Sequence, residues 1–228
     1  MPQIELLHID CMKYMASLPD KAFDLAIVDP PYGLGDRTMK GGCDKNTQVR
    51  FGSHISKGWD VLAPTAEYWK ELFRCSINQI VWGGNYFGLP AHRTFIAWDK
   101  MTYPPTMSQV EQAWTSFDEP ARLIQINSNQ PGRIHPTQKP VALYRWLLKN
   151  YAKPGQRILD THLGSGSIAI ACDIEGFDLV GCEIDADYIK AARHRLAVHL
   201  SAPRLFEATP AGLPQQLSLG DDVLSDGT

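Results

Sequence analysis

The sequence has no Cys-x-x-Cys pair, and its five cysteines are widely spaced: Cys11, Cys43, Cys75, Cys172 and Cys182. Zinc sites and redox motifs use closely spaced cysteines, and disulfide frameworks usually use an even number of them. The sequence therefore predicts neither a metal site nor disulfides, and it favours a reducing, cytoplasmic environment.

Long apolar runs are also missing, and the first residues lack a charged stretch followed by an apolar one. Neither a membrane span nor a signal peptide is therefore expected. No linker-like stretch divides the 228 residues, of which 44% are hydrophobic, enough for a sizeable core. We expect one domain over residues 1–200, followed by a flexible tail over residues 201–228.

The chain has no excess of positive charge, since its formal net charge is −3 at pH 7. The tail accounts for all of it, with one arginine against four acids, so the first 200 residues sum to zero. Such a chain can bind a polyanion only through a local basic cluster. Residues 36–59 contain one, with five basic side chains against two acidic ones: Arg37, Lys40, Lys45, Arg50 and Lys57 against Asp36 and Asp44. This glycine-rich segment is either a solvated surface loop or a loop that contacts phosphates.

One motif follows the apolar run of residues 25–28: Asp29-Pro30-Pro31-Tyr32-Gly33. The prolines restrict the backbone and leave carbonyl oxygens free to accept hydrogen bonds, as does the carboxylate of Asp29. Tyr32 offers a flat face on which a heterocycle can stack. The motif suits an exocyclic amine on a planar base that has been lifted out of a duplex. Its alternative role is a simple turn.

A second motif runs from Arg157 through the glycine turn Leu163-Gly164-Ser165-Gly166-Ser167 and is followed by a helical pattern and a second strand that ends at Glu183. Strand, glycine turn, helix, strand and acid form the layout of a nucleotide-type site. The third glycine of the dinucleotide fingerprint is missing, which favours S-adenosylmethionine over a dinucleotide.

With His135-Pro136-Thr137-Gln138-Lys139-Pro140 between these two motifs, the chain resembles the DNA amino-methyltransferases of the β arrangement, in which the catalytic half precedes the cofactor half. The resemblance spans residues 4–196, and residues 81–87 and 111–114 resemble phage-type and prophage-type members. The family usually has Asp-Pro-Phe at the start of the glycine motif, whereas this chain has Asp160-Thr161-His162, so His162 would fill the space of the aromatic wall.

The resemblance implies a Rossmann-like, doubly wound, mixed α/β sheet that binds S-adenosylmethionine. It implies methyl transfer to the N6 amine of a flipped adenine at specific sites in double-stranded DNA. Loops at about residues 35–60 and 101–130 would contact the DNA. A homodimer and a cognate restriction nuclease are compatible with this resemblance, and the recognition sequence stays open.

The site residues follow by position. Asp29, Pro30, Pro31 and Tyr32 would be catalytic, and Lys40, Lys45, Arg50 and Lys57 would bind DNA. The cofactor set implied by the resemblance is Asp10, Thr137, Lys139, Asp160, Leu163, Gly164, Gly166, Ser167 and Glu183. Asp160 would lie near the methionine amino group, Glu183 on the ribose, and Thr137 and Lys139 beside the methionine end. Asp10 would face the adenine or simply cap the helix that follows it.

Three other functions remain open from the sequence. Methylation of cytosine N4 uses the same acceptor chemistry, although Asp at the first motif position leans towards adenine within the family. An inactive relative would keep only DNA binding. Methylation of a protein glutamine usually goes with Asn-Pro-Pro-Tyr downstream of the cofactor motif, whereas Asp29 lies upstream of it.

Hydrophobic periodicity predicts strands over residues 23–28, 79–82 and 94–98, and helices over residues 65–76, 140–151 and 185–200. Residues 109–116 and 122–126 are predicted to form an antiparallel pair with each other.

Overall fold

A mixed sheet of eight strands forms the centre of the protein in the computed structural model, which describes residues 1–34, 62–101, 108–129 and 138–202. In chain order the strands are β1 (Ile4–His8), β2 (Phe23–Val28), β3 (Ser76–Trp82), β4 (Phe95–Asp99), β5 (Val110–Thr115), β6 (Arg122–Gln125), β7 (Arg157–Asp160) and β8 (Asp178–Glu183). Their order across the sheet is β1-β8-β7-β2-β3-β5-β4-β6. Among the described strands only β5 runs antiparallel to its neighbours.

Helices cover both faces of the sheet: α1 (Cys11–Ala16), α2 (Ala66–Cys75), α3 (Val141–Tyr151), α4 (Ser167–Glu175) and α5 (Ala186–Ser201). Strand β2 shows why two layers form, because alternate side chains point to opposite faces. Leu25 and Ile27 join the core under α3, α4 and α5, whereas Ala26 and Val28 join the core under α1 and α2. The predicted α/β, doubly wound, mixed sheet is confirmed.

Strands β2 and β7 are parallel neighbours at the centre of the sheet, although about 130 residues separate them along the chain. The chain continues from β2 to β3 on one side of this pair and from β7 to β8 on the other, so the strand order reverses direction between β2 and β7 and forms a topological switch point. Ligands of open α/β sheets bind in the crevice at such a switch point, outside the carboxyl ends of the strands. The fold therefore places the two motifs beside each other.

The predicted antiparallel pair of residues 109–116 with 122–126 is wrong. Strand β4 lies between the two segments: it pairs antiparallel with β5 and parallel with β6. The error arose because neighbouring segments were assumed to pair as a hairpin. Here Ile96 and Trp98 are buried and alternate along β4, so a central position lets β4 bury them while it pairs on both edges.

Two predicted features lie outside the described residues. The basic segment of residues 36–59 is one of them, and the predicted tail from residue 203 onward is the other. Residues 108–129 of the second predicted DNA-contacting segment contain β5 and β6. In the part of the chain that is described, no helix combines the length and apolarity needed to cross a membrane.

Candidate functional site

The Asp29-Pro30-Pro31-Tyr32 segment leaves the sheet directly after β2, at the carboxyl edge. Val28 and Pro30 are buried and Asp29 is half-buried between them. Because proline has no N–H to donate, the segment cannot continue the strand ladder, and it turns out of the sheet here. A carboxylate is thereby held at the mouth of the central crevice.

Both oxygens of the Asp29 carboxylate are engaged. The Tyr32 hydroxyl donates to Oδ1 at 2.8 Å, and the Lys139 ammonium donates to Oδ2 at 2.5 Å. Burial, with the nearby charge of Asp29, raises the pKa of Tyr32 well above its usual range. Tyr32 therefore stays protonated and acts as a hydrogen-bond donor to Asp29.

Aromatic rings surround Tyr32. Its ring stacks on that of Tyr86, with centroids 4.9 Å apart and planes 21° apart, and Phe87 meets it edge-on at 6.1 Å. Tyr86 is 48% exposed, so the stack reaches the solvent side of the crevice. Flat faces of this kind suit the stacking of a planar heterocycle.

The glycine turn after β7 holds two glycines with positive φ that have different surroundings. A Cβ on Gly164 (φ +52°) would meet only the His162 carbonyl oxygen, at 3.9 Å, so this backbone is open to a ligand. A Cβ on Gly166 (φ +71°) would lie 3.0 Å from the Ala192 Cβ of α5. Gly166 is therefore needed for helix packing, and Gly164 leaves room for a bound group.

Glu183, the last residue of β8, holds the glycine turn in place. Its Oε2 accepts from the Gly164 N–H at 2.9 Å, and its Oε1 accepts from the Asp185 N–H at 2.9 Å. Each carboxylate oxygen can accept a further bond. An acid at the end of the second strand is the ribose-binding position of nucleotide-type folds.

A cavity opens beside Glu183 and is lined by Ile9, Asp10, Cys11, Thr161, His162, Glu183 and Ile184. Asp10 also caps α1, because its Oδ1 accepts from the N–H groups of Met12 and Lys13 at 2.8 and 3.1 Å. Both roles that the sequence allowed for Asp10 are therefore compatible with its position. Two carboxylates and apolar walls fit a nucleoside with its hydroxyl and amino donors.

His162 lies in this cavity wall at the end of a short hydrogen-bonded series. The Tyr68 hydroxyl and Thr161 Oγ1 lie 2.6 Å apart, and Thr161 Oγ1 lies 2.9 Å from His162 Nδ1. Burial lowers the pKa of His162 to about 4, so the ring is neutral at physiological pH. A neutral ring packed edge-on against Tyr68 can take the place of an aromatic wall.

Asp160, at the end of β7, is only 2% exposed. Burial raises its pKa to about 8, although its Oδ1 accepts from the His162 N–H at 2.9 Å. The nearby carboxylates of Asp29 and Glu183 add to this effect. Asp160 is thus a buried acid that a bound cation would ionise.

The structure does not bring all the predicted cofactor residues to one place. Asp10 and Glu183 line the cavity, and Asp160 is buried at the end of the neighbouring strand β7. Leu163 and Ser167 are buried in packing contacts: Leu163 lies against Gly181, and Ser167 accepts from Arg195 at 2.8 Å. Lys139 lies on the Asp29 side. Thr137 lies outside the described residues. So do the four residues predicted to bind DNA: Lys40, Lys45, Arg50 and Lys57.

Two charged residues of the site were missed by the sequence-based reasoning, Lys100 and Glu111. They form an ion pair of 2.6 Å beside Lys139. The available signal was that Lys100 directly follows the strand of the buried Trp98 and that Glu111 begins the 111–114 segment of the family resemblance. They lie close together because β4 pairs with β5, whereas the sequence predicted a pair of β5 with β6.

Comparisons with known proteins identify the family and the fold. A family model described as "DNA methylase" matches residues 81–194, half of the chain. The DNA adenine methyltransferase YhdJ of Escherichia coli (strain K12) is 23% identical over 259 residues, covering 88% of this chain and 85% of that protein.

Two solved structures show the same fold. The PvuII DNA methyltransferase, which is cytosine-N4-specific, superimposes with a TM-score of 0.61 at 15% identity, covering 86% of each chain. The complex of M1.HpyAVI with SAM superimposes with a TM-score of 0.54 at 20% identity, covering 85% of this chain and 99% of that one.

Proposed function

The chain belongs to the DNA methylase family of N6-adenine and N4-cytosine amino-methyltransferases, and from this membership we propose that it methylates the N6 amine of an adenine flipped out of duplex DNA. The observation that carries the proposal is the placement of Asp29 and the glycine turn on adjacent parallel strands, β2 and β7. An amine held by the first motif would face a ligand held by the second.

The methyl donor is S-adenosylmethionine, whose sulfonium carries an electrophilic methyl group. The cavity beside β8 fits its nucleoside, with Glu183 accepting from the ribose hydroxyls and Asp10 facing the adenine amine. Asp160 would neutralise the ammonium of its methionine part, and Gly164 provides the open backbone. Thr137 is assigned to the methionine end by the family resemblance alone.

The residues around the acceptor amine would make this amine a better nucleophile. An adenine amine is nearly planar because its lone pair is delocalised into the ring, so it is a poor nucleophile. The Asp29 carboxylate and the Pro30 carbonyl would accept hydrogen bonds from the two N–H groups of this amine. These bonds would favour a pyramidal nitrogen and concentrate the lone pair on it. Tyr32 would stack on the base. Positioning the amine in line with the methyl group would supply much of the rate, without a covalent enzyme intermediate.

The Asp29–Tyr32 hydrogen bond supports this role of Asp29. The Tyr32 hydroxyl donates to the oxygen, Oδ1, at which the base would donate one of its N–H groups. A base that enters therefore exchanges one donor for another, and Asp29 is never left without a partner on that oxygen. Such an exchange avoids the cost of a buried, unsatisfied acceptor.

The second candidate is methylation of cytosine N4. Asp29 and Pro30 would serve a cytosine amine by the same chemistry, and the similar PvuII enzyme is cytosine-N4-specific. Nucleoside mass spectrometry of duplex DNA incubated with the enzyme and S-adenosylmethionine tests the choice. N6-methyladenine is the expected product, and N4-methylcytosine alone would reverse the assignment. A relative without activity would give neither, although Asp29, Tyr32 and Glu183 argue against it.

Neutralising the basic segment should reduce the salt dependence of DNA binding. Lys40, Lys45, Arg50 and Lys57, which lie outside the described residues, would each release counterions from DNA when bound to phosphate. In the variant with all four replaced by glutamine we expect the slope of log Kd against log salt to fall by about three to four. An unchanged slope, measured by fluorescence anisotropy, would identify the segment as a solvated loop.

Cofactor binding below pH 8 should release a proton. Asp160, with its pKa raised to about 8, is mostly protonated at pH 6.5 before binding, and an ammonium beside it favours the ionised form. Affinity should therefore rise with pH up to about pH 8. Calorimetry at pH 6.5 in phosphate and in imidazole buffer measures the released proton, and Asp160→Asn serves as the control that releases none. Equal enthalpies in both buffers would contradict this role of Asp160.

A further inference from the structure

A buried lysine stands directly behind the proposed catalytic carboxylate. The Lys139 side chain is 3% exposed, and its ammonium lies 2.5 Å from Asp29 Oδ2 and 3.2 Å from Glu111 Oε2. The same ammonium lies 5.2 Å from the centroid of the buried Trp82 ring. A lysine with this burial is retained as a cation only where anions surround it.

The ion pairs continue beyond Lys139. Glu111 Oε1 lies 2.6 Å from the Lys100 ammonium, and both of these side chains are largely buried. Asp29, Lys139, Glu111 and Lys100 thus alternate in sign, and their formal charges cancel. The strand directions explain why these charges lie together. Because β5 is antiparallel to its neighbours, its first residues lie at the sheet edge where β2 and β4 end.

The two middle groups, Lys139 and Glu111, are held in their charged forms. Burial alone would lower the pKa of Lys139, but Asp29 and Glu111 raise it above its usual value. Burial alone would raise the pKa of Glu111, but Lys139 and Lys100 lower it. Lys139 is therefore a fixed cation at Asp29, and Glu111 is fixed by cations on both sides.

We infer that Lys139, anchored by Glu111, is a positioning residue for methyl transfer. It holds Asp29 through Oδ2, so that Oδ1 faces the incoming amine. The inference rests on the proposed function and deepens its acceptor side. It also assigns Lys139 a different role from the methionine-end contact that the family resemblance implied.

The expected signature of this role is a change in pH dependence. Without the lysine, Asp29 would keep the negative groups around it and lose its cation, so its pKa would rise. Transfer would then depend on pH and rise towards alkaline pH as Asp29 ionises. The groups that face Asp29 are Tyr32 beside it, Glu111 on β5, Tyr144 on α3 and Asp160 on β7, besides Lys139.

The experiment compares Lys139→Met with Lys139→Arg and with Lys149→Met, which removes a half-exposed lysine of α3. Single-turnover methyl transfer, cofactor affinity by tryptophan fluorescence and melting temperature are measured from pH 5.5 to 9. At pH 7 we expect Lys139→Met to transfer about a hundredfold more slowly, with cofactor affinity within about twofold of the wild type. The arginine variant should recover part of the rate, and Lys149→Met should match the wild type.

A loss of cofactor affinity with an unchanged transfer rate would overturn the inference in favour of the methionine-end contact. A rate loss that is equal at every pH and follows the melting temperature would reduce Lys139 to a structural residue. If Lys139→Met does not fold, Glu111→Gln, which leaves the Asp29–Lys139 pair in place, should slow transfer about tenfold with the same alkaline trend.

Carboxyl NMR of Asp29 separates this inference from the proposed function. Lys139→Met should show an Asp29 pKa above that of the wild type, whether or not DNA is the substrate. A wild type that methylates no DNA would overturn the proposed function. An Asp29 carboxyl with the same pKa in both proteins would overturn the inference.

Discussion

Replacing Asp29 by alanine should slow methyl transfer by about a hundredfold to a thousandfold while S-adenosylmethionine still binds with its normal affinity. The variant removes the carboxylate that accepts the amine N–H and leaves only the Pro30 carbonyl to favour a pyramidal nitrogen. Groups that stabilise developing charge in a closed site typically account for rate effects of this size. The proposed cofactor contacts of Asp10, Asp160 and Glu183 lie at the ends of β1, β7 and β8, away from the Asp29 side chain, so they should survive.

The matched control is Asp24→Ala, because Asp24 lies on the same strand at the opposite edge of the sheet. Its carboxylate accepts from the backbone N–H of Arg157 at 2.8 Å. The Asp24→Ala variant therefore also loses one hydrogen bond that a β2 side chain makes. Single-turnover transfer and cofactor titration should show a loss for Asp29→Ala alone. Transfer at the wild-type rate in Asp29→Ala would remove Asp29 from the mechanism.

Replacing Glu183 by alanine should raise the Kd for S-adenosylmethionine about a hundredfold. Two charge-assisted hydrogen bonds to ribose hydroxyls, worth about 1.5 kcal/mol each, would be lost. The variant also releases the Gly164 and Asp185 N–H groups that Glu183 holds at 2.9 Å, so the glycine turn would loosen as well. Both effects weaken the donor side and leave Asp29 in place.

Glutamine at position 183 separates these two effects, since it keeps one acceptor oxygen for the turn. We expect an affinity between those of the alanine variant and the wild type. Asp178→Asn is the control, because Asp178 begins the same strand β8 at the far edge and accepts from the Gln3 N–H at 2.7 Å. Isothermal titration should show wild-type affinity for Asp178→Asn; equal losses in both variants would indicate a general weakening of β8.

The two motifs were readable from the sequence because each is local. Asp29 follows an unbroken apolar run, and a proline pair right after a strand permits few backbone conformations. Glu183 follows the glycine turn at a spacing fixed by one helix and one strand. The family assignment that these motifs implied is confirmed, whereas the phage type remains a prediction and the choice between adenine and cytosine a proposal.

The ion pairs around Lys139 were not readable in this way. Lys100, Glu111 and Lys139 lie on separate segments, and no periodicity links them. They meet because β4 lies between β5 and β6 in the sheet and because β5 runs against its neighbours. Pairing β5 with β6 as a hairpin, as the sequence suggested, does not provide this arrangement.

The sequence by itself therefore determined the acceptor segment and the glycine turn, because local hydrophobic periodicity and restricted backbone conformations specify them. The family resemblance of these motifs implied the fold class. Only the tertiary structure decided which charges lie beside Asp29. A buried cation is stable only where the fold brings anions to it, and the order of strands across the sheet, a non-local property of the whole chain, brings Asp29 and Glu111 to Lys139.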